Sequence, residues 1–141
     1  MREVDIVLHP IGYVENAFEQ MTAPEEIAAQ PSRIVLEPAY LDGLLGLDQV
    51  EKILVVYYFD RAHEVRLRLH PRDDWSKPLR GVFATRTPYR PNHLGVTVVR
   101  LVGIEGNVLT VEGLDALNRT PVLDIKPFDP ALDGPAPDPH H

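Results

Sequence analysis

The stretch ILVVYYF, residues 53–59, is apolar at every position and is the longest apolar run in the chain. Such a run is typical of a central strand with both faces buried. Alternating or β-branched segments on both sides predict further strands, at residues 5–14, 32–36, 65–69, 81–84, 96–102, 107–112 and 122–125. Helical signals are confined to turns at residues 24–29 and 38–47. The pattern predicts a mainly β fold, with a barrel-like or sandwich core and short helical turns, and not a doubly wound sheet.

The length of 141 residues indicates one domain large enough to bury its own core. We expect this domain to occupy residues 1–128, because residues 129–141 (DPALDGPAPDPHH) are rich in Pro and Asp and are expected to be extended or disordered. The chain has no cysteine, no apolar run of the ~20 residues that a membrane span needs, and acids where a secretory signal would be basic. These features predict a cytoplasmic protein without a membrane partner.

Charge is distributed unevenly along the chain. The net charge is −7, yet residues 61–100 hold eight arginines and one lysine against three acids, a local charge of +6. The rest of the chain therefore carries −13. A basic middle on an acidic body binds an anion locally while it repels polyanions elsewhere. Arg66 and Arg68 lie in an alternating VRLRL segment, where a solvated strand face paired with acids is the favoured interpretation.

The loop FATRTPYRPNHLG, residues 83–95, concentrates two arginines and two prolines. Pro88 and Pro91 push the residues before them toward extended backbone and reduce the entropy that the loop loses on ordering. Arg86 and Arg90 repel each other unless an anion or a carboxylate lies between them, and a guanidinium binds a carboxylate or phosphate with two parallel hydrogen bonds. Composition leaves two interpretations open: a preorganised anion site, or a rigid structural corner whose arginines pair with Asp or Glu.

A second segment, LDALNRTPVLDIKPF at residues 114–128, carries two aspartates around a turn. Asp124 and Lys126 point to the same face of a strand, where a plain ion pair is favoured over a site that holds a substrate group. The chain has no G-x-G-x-x-G or Walker A motif, and its histidines lack the spacing of metal ligands, so we predict no metal.

Together, GVFATRTPYRPNHLGVTVV and LDALNRTPVLDIKPF resemble the signature of the TsaA-like (YaeB, TrmO) family of S-adenosylmethionine-dependent methyltransferases. That signature is a GVFATRS-x-x-RPN-x-x-G run, a hairpin, and an LD-x-x-x-GTPV-x-DIKPY run. The resemblance implies a small β-barrel that is neither a Rossmann nor a knotted methyltransferase fold. It also implies a homodimer with S-adenosylmethionine bound near the dimer interface, and methylation of N6 of threonylcarbamoyl-adenosine next to the anticodon of tRNA.

The resemblance also assigns site residues. For the methyl transfer that the resemblance implies, Asp124 and Asp115 are the candidate acceptors of the substrate proton, and Arg90 and Lys126 are the candidate contacts for the substrate. Arg86 is expected to hold an anionic group of the donor or the site's carboxylates. The residues expected to bind the methyl donor are Phe83, Arg86, Asn92, Gly95, Leu114, Asp115 and Thr120.

The chain departs from the family pattern at several places. Arg119 stands where the family has Gly, Phe128 replaces Tyr, and the family's Pro-Arg-Gln segment has no counterpart between residues 15 and 31. The longer bacterial members also carry a C-terminal domain that is absent from this sequence. Two other functions therefore stay open: a methyltransferase for a small molecule or a protein, and an S-adenosylmethionine-binding module without catalysis.

Overall fold

A closed, six-stranded antiparallel barrel forms the body of the computed structural model, which describes residues 3–20 and 22–134. The strand order around the barrel is β1-β2-β7-β6-β3-β8, and β4 and β5 form a separate two-stranded hairpin. The expectation of a mainly β barrel with short helical turns is confirmed. The strands are β1 (Gly12–Glu15), β2 (Ser32–Leu36), β3 (Lys52–Tyr58), β4 (Arg68–Leu69), β5 (Arg80–Gly81), β6 (Leu94–Glu105), β7 (Val108–Glu112) and β8 (Pro121–Pro127).

The helical segments are short. There are two α-helices in the described residues, α1 (Pro24–Ala28) and α2 (Pro130–Asp133). Separate 3-10 turns lie at Pro38–Leu44, Leu47–Gln49, Pro71–Asp73, Val82–Ala84 and Pro91–His93. No helix in the described part of the chain is long and apolar enough to cross a membrane.

Strand β3 shows how the barrel forms its core. Ile53, Val55 and Tyr57 point inward and are buried, whereas the alternate residues Leu54 and Val56 point outward and are half-buried. The prediction that this strand is buried on both faces is wrong, because a barrel wall packs only its inner face against the core. The remaining inward side chains of the core are Val14, Ile34, Leu36, Val99, Leu109, Val111, Leu114, Ala116 and Val122.

Three predicted strands are shorter than expected. The first begins only at Gly12, and residues 3–10 run exposed without a ladder. Of residues 65–69, only Arg68 and Leu69 pair. After Gly81, the backbone turns into the 3-10 segment Val82–Ala84. The alternating pattern alone did not reveal these ends, because a strand also needs a neighbour to pair with.

Strands β6 and β7 have unequal lengths, and this opens one side of the barrel. The EGN segment at residues 105–107, between the predicted strands 96–102 and 107–112, is typical of a hairpin turn, and Gly106, with φ of +60°, makes that turn. Strand β7 ends at Glu112 because Gly113, with φ of +99°, turns the chain away. Strand β6 extends beyond β7 from Leu94 to Val99, so that half pairs with β3 alone.

The hydrogen-bond register defines which backbone groups face the open side. The Phe59 N–H donates to the His93 carbonyl (2.8 Å), and the Leu101 N–H donates to the Glu51 carbonyl (2.9 Å). Odd-numbered residues of β6 therefore bond to β3, since bonding direction alternates along an antiparallel strand. The N–H and C=O groups of Leu94, Val96 and Val98 point to the open side.

The beginning of the expected tail is ordered. Residues Pro130–Asp133 form α2, and the Asp129 carboxylate caps the helix by accepting from the Ala131 N–H (2.9 Å). The expectation of extended or disordered chain is wrong for these residues, because Asp followed by Pro is a favourable helix start. Residues 135–141 of the predicted tail lie outside the described residues.

Candidate functional site

A cavity of about 660 Å³ lies at the open side of the barrel. It is bounded by the ends of β3 and β6, by the segment that follows β7, and by the loop of residues 83–90. The two sequence segments that carry the family resemblance therefore meet in one place. Of the predicted site residues, those that line the cavity are Phe83, Arg86, Arg90, Gly95, Asp115 and Thr120.

Four predicted site residues do not line this cavity. Leu114 is fully buried in the barrel core, and Asn92 is exposed in a 3-10 turn with φ of +66°. Asp124 and Lys126 are exposed on β8 and form an ion pair at 3.8 Å. Both side chains point outward because they alternate with the half-buried Ile125. Within one chain, the structure gives Asp124 and Lys126 the ion pair that composition favoured, and no place in the cavity.

The Asp115 carboxylate is held by two hydroxyl groups. Tyr57 donates to Oδ1 at 3.0 Å, and Thr97 donates to the same oxygen at 2.8 Å. The two hydroxyl oxygens are themselves 3.1 Å apart. Both donors bind Oδ1, and no hydrogen bond from residues 3–20 or 22–134 reaches the second oxygen of Asp115, which is left for a ligand or a proton.

Tyr57 and Thr97 are site residues that the sequence did not predict. The sequence does contain a signal for Tyr57, because alternation along β3 places it on the same inner face as Ile53 and Val55. A polar group at the end of an inward-facing row is the signal that could have identified it. Burial, and then the charge of Asp115, raise the pKa of Tyr57 well above its ordinary value. Tyr57 therefore stays protonated at neutral pH and serves as a hydrogen-bond donor.

The two arginines of the loop bind backbone carbonyls. Arg86 donates through Nη2 to the Val96 carbonyl (2.5 Å), one of the acceptors on the open side of β6. Arg90 donates through Nη1 to the Thr85 carbonyl (2.9 Å) within its own loop. Among the described residues, neither guanidinium has a carboxylate within 4.0 Å, so the loop is not a corner that pairs its arginines with Asp or Glu.

Gly95 provides room for two aromatic rings. A Cβ atom at this position would lie 2.7 Å from the Tyr57 ring and 2.8 Å from the Phe59 ring. These rings pack edge to face with centroids 5.2 Å apart and form the inner wall of the cavity. The glycine of the motif therefore shapes the cavity by allowing this close approach.

The turn that departs from the family pattern keeps the conformation that glycine favours. Arg119 has φ of +70°, which is uncommon for a residue with a side chain. Its N–H donates to the Val14 carbonyl (2.6 Å), and the Thr120 carbonyl accepts from the Val14 N–H (2.9 Å). These bonds to β1 hold the turn, so the Arg in place of Gly leaves the backbone in the left-handed region.

The chain matches the family model described as "tRNA-methyltransferase O N-terminal domain" over residues 14–134. The chain belongs to this family. It is 39% identical over 131 residues to a protein of Archaeoglobus fulgidus named "S-adenosyl-L-methionine-binding protein", and the match covers 91% of this chain and 93% of that one. It is also 31% identical over 147 residues to the human "tRNA (adenine(37)-N6)-methyltransferase", covering 93% of this chain and 32% of the human protein.

A solved structure supports the same fold. The crystal structure of TrmO from Pseudomonas aeruginosa superposes with a TM-score of 0.76 at 35% sequence identity. The match covers 94% of this chain and 60% of the TrmO chain. The chain therefore spans about three fifths of the length of the solved protein that it resembles and about one third of the human relative.

We predict that Tyr57→Phe lowers the free energy of unfolding near pH 8 by roughly 1.5–3 kcal/mol, because a hydrogen bond to a charged group is lost. The raised pKa of Tyr57 makes its stabilisation complete below pH 10 and lost as the pH rises through the folded-state pKa, since only the unfolded state then releases the proton. Urea unfolding followed by circular dichroism from pH 8 to 11 should therefore show a smaller alkaline loss in Tyr57→Phe than in the wild type. Tyr13→Phe, at an exposed tyrosine of β1, is the matched control. Equal alkaline losses in wild type and Tyr57→Phe would contradict this placement of the hydroxyl.

Proposed function

We propose that the chain is an S-adenosylmethionine-dependent methyltransferase that methylates N6 of threonylcarbamoyl-adenosine next to the anticodon of tRNA. The observation that carries this proposal is the meeting of both family motifs around one cavity, in which two hydroxyl groups orient the carboxylate of Asp115. Membership of the family and the names of its relatives support the cofactor and the reaction class.

The cavity suits a ligand the size of the methyl donor. A volume of about 660 Å³ lies in the range of small-molecule and cofactor sites, ~300–1,000 Å³. Its wall combines aromatic surface from Tyr57 and Phe59 with the cation of Arg86 and the anion of Asp115. A sulfonium donor is already activated, so the protein's main contribution is to hold methyl carbon, sulfur and nitrogen in line.

Asp115 is the group best placed to receive the proton of the nucleophile. In the proposed step, the nitrogen forms a bond to the methyl carbon while the carbon–sulfur bond breaks and its electron pair goes to sulfur. The nitrogen then loses its proton to the free oxygen of Asp115. Tyr57 and Thr97 fix the other oxygen, which keeps this acceptor in one orientation.

Purified protein incubated with S-adenosylmethionine and hypomodified tRNA should produce the N6-methylated nucleoside, detected by nucleoside mass spectrometry. We expect Asp115→Asn to reduce the rate by roughly 10²–10⁴-fold, the usual contribution of a general base. Asp48→Asn, at an exposed aspartate outside the cavity and outside the proposed dimer face, is the matched control, and Asp124→Asn tests the second candidate aspartate. A large loss in Asp124→Asn with an active Asp115→Asn would reverse the assignment.

Arg86 is proposed to bind the anionic end of the donor. Calorimetry with S-adenosylhomocysteine should show about tenfold or greater loss of affinity in Arg86→Ala, because a charge-assisted hydrogen bond is removed. Arg33→Ala, which removes an exposed arginine paired with Glu15 outside the cavity, should leave the affinity unchanged. An Arg86→Ala protein that binds as tightly as the wild type would exclude this role.

A binding module without catalysis is the second candidate function. The name of the A. fulgidus relative favours it, since that name states binding of S-adenosyl-L-methionine and no transfer. The tRNA assay separates the two functions: a module binds S-adenosylhomocysteine in calorimetry yet leaves every nucleoside unmethylated. Transfer to a small molecule or a protein would appear as methylation in cell extract that survives removal of RNA.

We further propose that the chain forms a homodimer through the outer face of β3 and β6. Val56 pairs with Val96 and Leu54 with Val98, so their outward side chains form one apolar surface beside the cavity. Val96 and Val98 are about 40% exposed in the single chain. A second copy would cover this surface and close the adjacent cavity.

Sedimentation velocity should give twice the chain mass of 15.9 kDa for the wild type. Val98→Lys should shift the protein toward the monomer, because the charge would have to be buried at the interface. Leu45→Lys, at an exposed position outside this face, should leave the dimer intact. A monomeric wild type would refute the proposal, and a dimeric Val98→Lys protein would place the interface elsewhere.

A further inference from the structure

The β4–β5 hairpin lies outside the barrel and is fastened to the cavity loop. We refer to residues 66–81 as the platform. The Arg66 N–H donates to the Tyr89 carbonyl (2.9 Å), and the Val82 N–H donates to the Leu67 carbonyl (2.9 Å). The Arg66 guanidinium also lies over the Tyr89 ring at 4.4 Å, and Tyr89 lines the cavity. The platform is therefore held against the cavity wall, although none of its residues enters the barrel ladder.

Trp75 has an exposed aromatic ring on this platform, and the ring packs against one neighbour, His70. It is 79% exposed, and its ring packs on His70 with centroids 4.1 Å apart and a tilt of 35°. The His70 ring is fixed in turn by a hydrogen bond between Nδ1 and the Lys77 carbonyl at 2.9 Å. An exposed indole with one face supported and the other open offers a surface for stacking another planar group.

The platform also carries cations without carboxylate partners. It contains five cationic side chains against two carboxylates, in a chain of net charge −7. Its carboxylates are engaged: Asp73 pairs with Arg66 (3.3 Å), and Asp74 accepts from the backbone and hydroxyl of Ser76. Among the described residues, the cations with no carboxylate within 4.0 Å are Arg68, Lys77 and Arg80.

Open aromatic surface beside unpaired cations matches the chemistry of single-stranded nucleic acid. Bases stack on aromatic side chains irrespective of sequence, and phosphates bind to the neighbouring cations. An acidic peptide would use the cations but would leave the indole without a planar partner. The surrounding negative charge of the chain confines a polyanion to this surface.

We propose that the platform binds the single-stranded RNA that flanks the target nucleotide, with a base stacked on Trp75 and phosphates on Arg68 and Arg80. This inference rests on the proposed function, because it assumes that the acceptor is an RNA loop. Its position fits that assumption, since the platform is joined through Arg66 and Tyr89 to the wall of the cavity. The barrel then holds the donor, and the platform holds the strand that presents the acceptor.

Fluorescence anisotropy with a labelled RNA hairpin of anticodon stem–loop sequence tests this inference. Trp75→Ala should weaken binding about 5- to 150-fold, the usual effect of removing one stacking partner, whereas Trp75→Phe should retain most of the affinity. In Arg68→Ala/Arg80→Ala, the slope of log affinity against log salt should decrease by about 0.7 for each phosphate that the variant no longer neutralises. Arg33→Ala removes an exposed cation of β2, outside both the platform and the proposed dimer face, and should leave both quantities unchanged.

Two further measurements separate this inference from the proposed function. S-adenosylhomocysteine affinity should be the same in wild type, Trp75→Ala and Arg68→Ala/Arg80→Ala, which also shows that the variants are folded. If the wild type methylates tRNA while all platform variants bind the hairpin as the wild type does, the RNA-binding role of the platform is refuted and the proposed function is supported. If the wild type binds the hairpin through Trp75 but transfers no methyl group, the proposed reaction is refuted and the RNA-binding role of the platform is supported.

Discussion

The site depends on one mismatch of length: β6 continues for six residues past the point where β7 leaves it. A closed barrel satisfies its backbone groups between neighbouring strands, and its interior is filled by side chains. Here the left-handed turn at Gly113 ends the β6–β7 ladder early. The opening that results exposes the edge groups of Val96 and Val98 and lets the Asp115 segment face the end of β3. The cavity is therefore a product of the strand register.

The loop of residues 83–95 fills part of that opening and is fixed by hydrogen bonds between its own side chains and its own carbonyl groups. Arg90 and His93 bind the Thr85 and Pro88 carbonyls, so the loop holds its shape through hydrogen bonds within itself. Arg86 satisfies the Val96 carbonyl, which would otherwise lack a partner at the strand edge. Its guanidinium has further N–H groups that this single bond does not use. The loop thus joins rigidity, which lowers the entropic cost of binding, with a cation at the cavity wall.

Local patterns in the sequence predicted most of the barrel strands, whereas the meeting of the two motifs was implied only by the family resemblance. The 53–59 strand, the hairpin around Gly106 and the loop at Arg86 follow from periodicity and turn chemistry. The hydrogen-bond partners that are distant in sequence did not follow from these local patterns. That Tyr57 and Thr97 share one oxygen of Asp115 requires knowledge of how β3, β6 and the post-β7 segment meet. The strand predicted at residues 5–10 did not form for a related reason, since their apolar character predicts a strand but these residues have no neighbouring strand to pair with.

The segment of residues 114–128 contributes to both sides of the barrel wall. Its first half directs Asp115 into the cavity, while Asp124 and Lys126 lie on the outer face of β8 beside Val56 and Leu54. In the proposed dimer, the second copy would remove these outer groups from water together with the apolar surface. A carboxylate in that environment needs a cation, and Lys126 at 3.8 Å from Asp124 provides one. In the proposed dimer, the DIKP sequence would serve the interface and the LDA sequence the proposed chemistry, although the two are continuous in the chain.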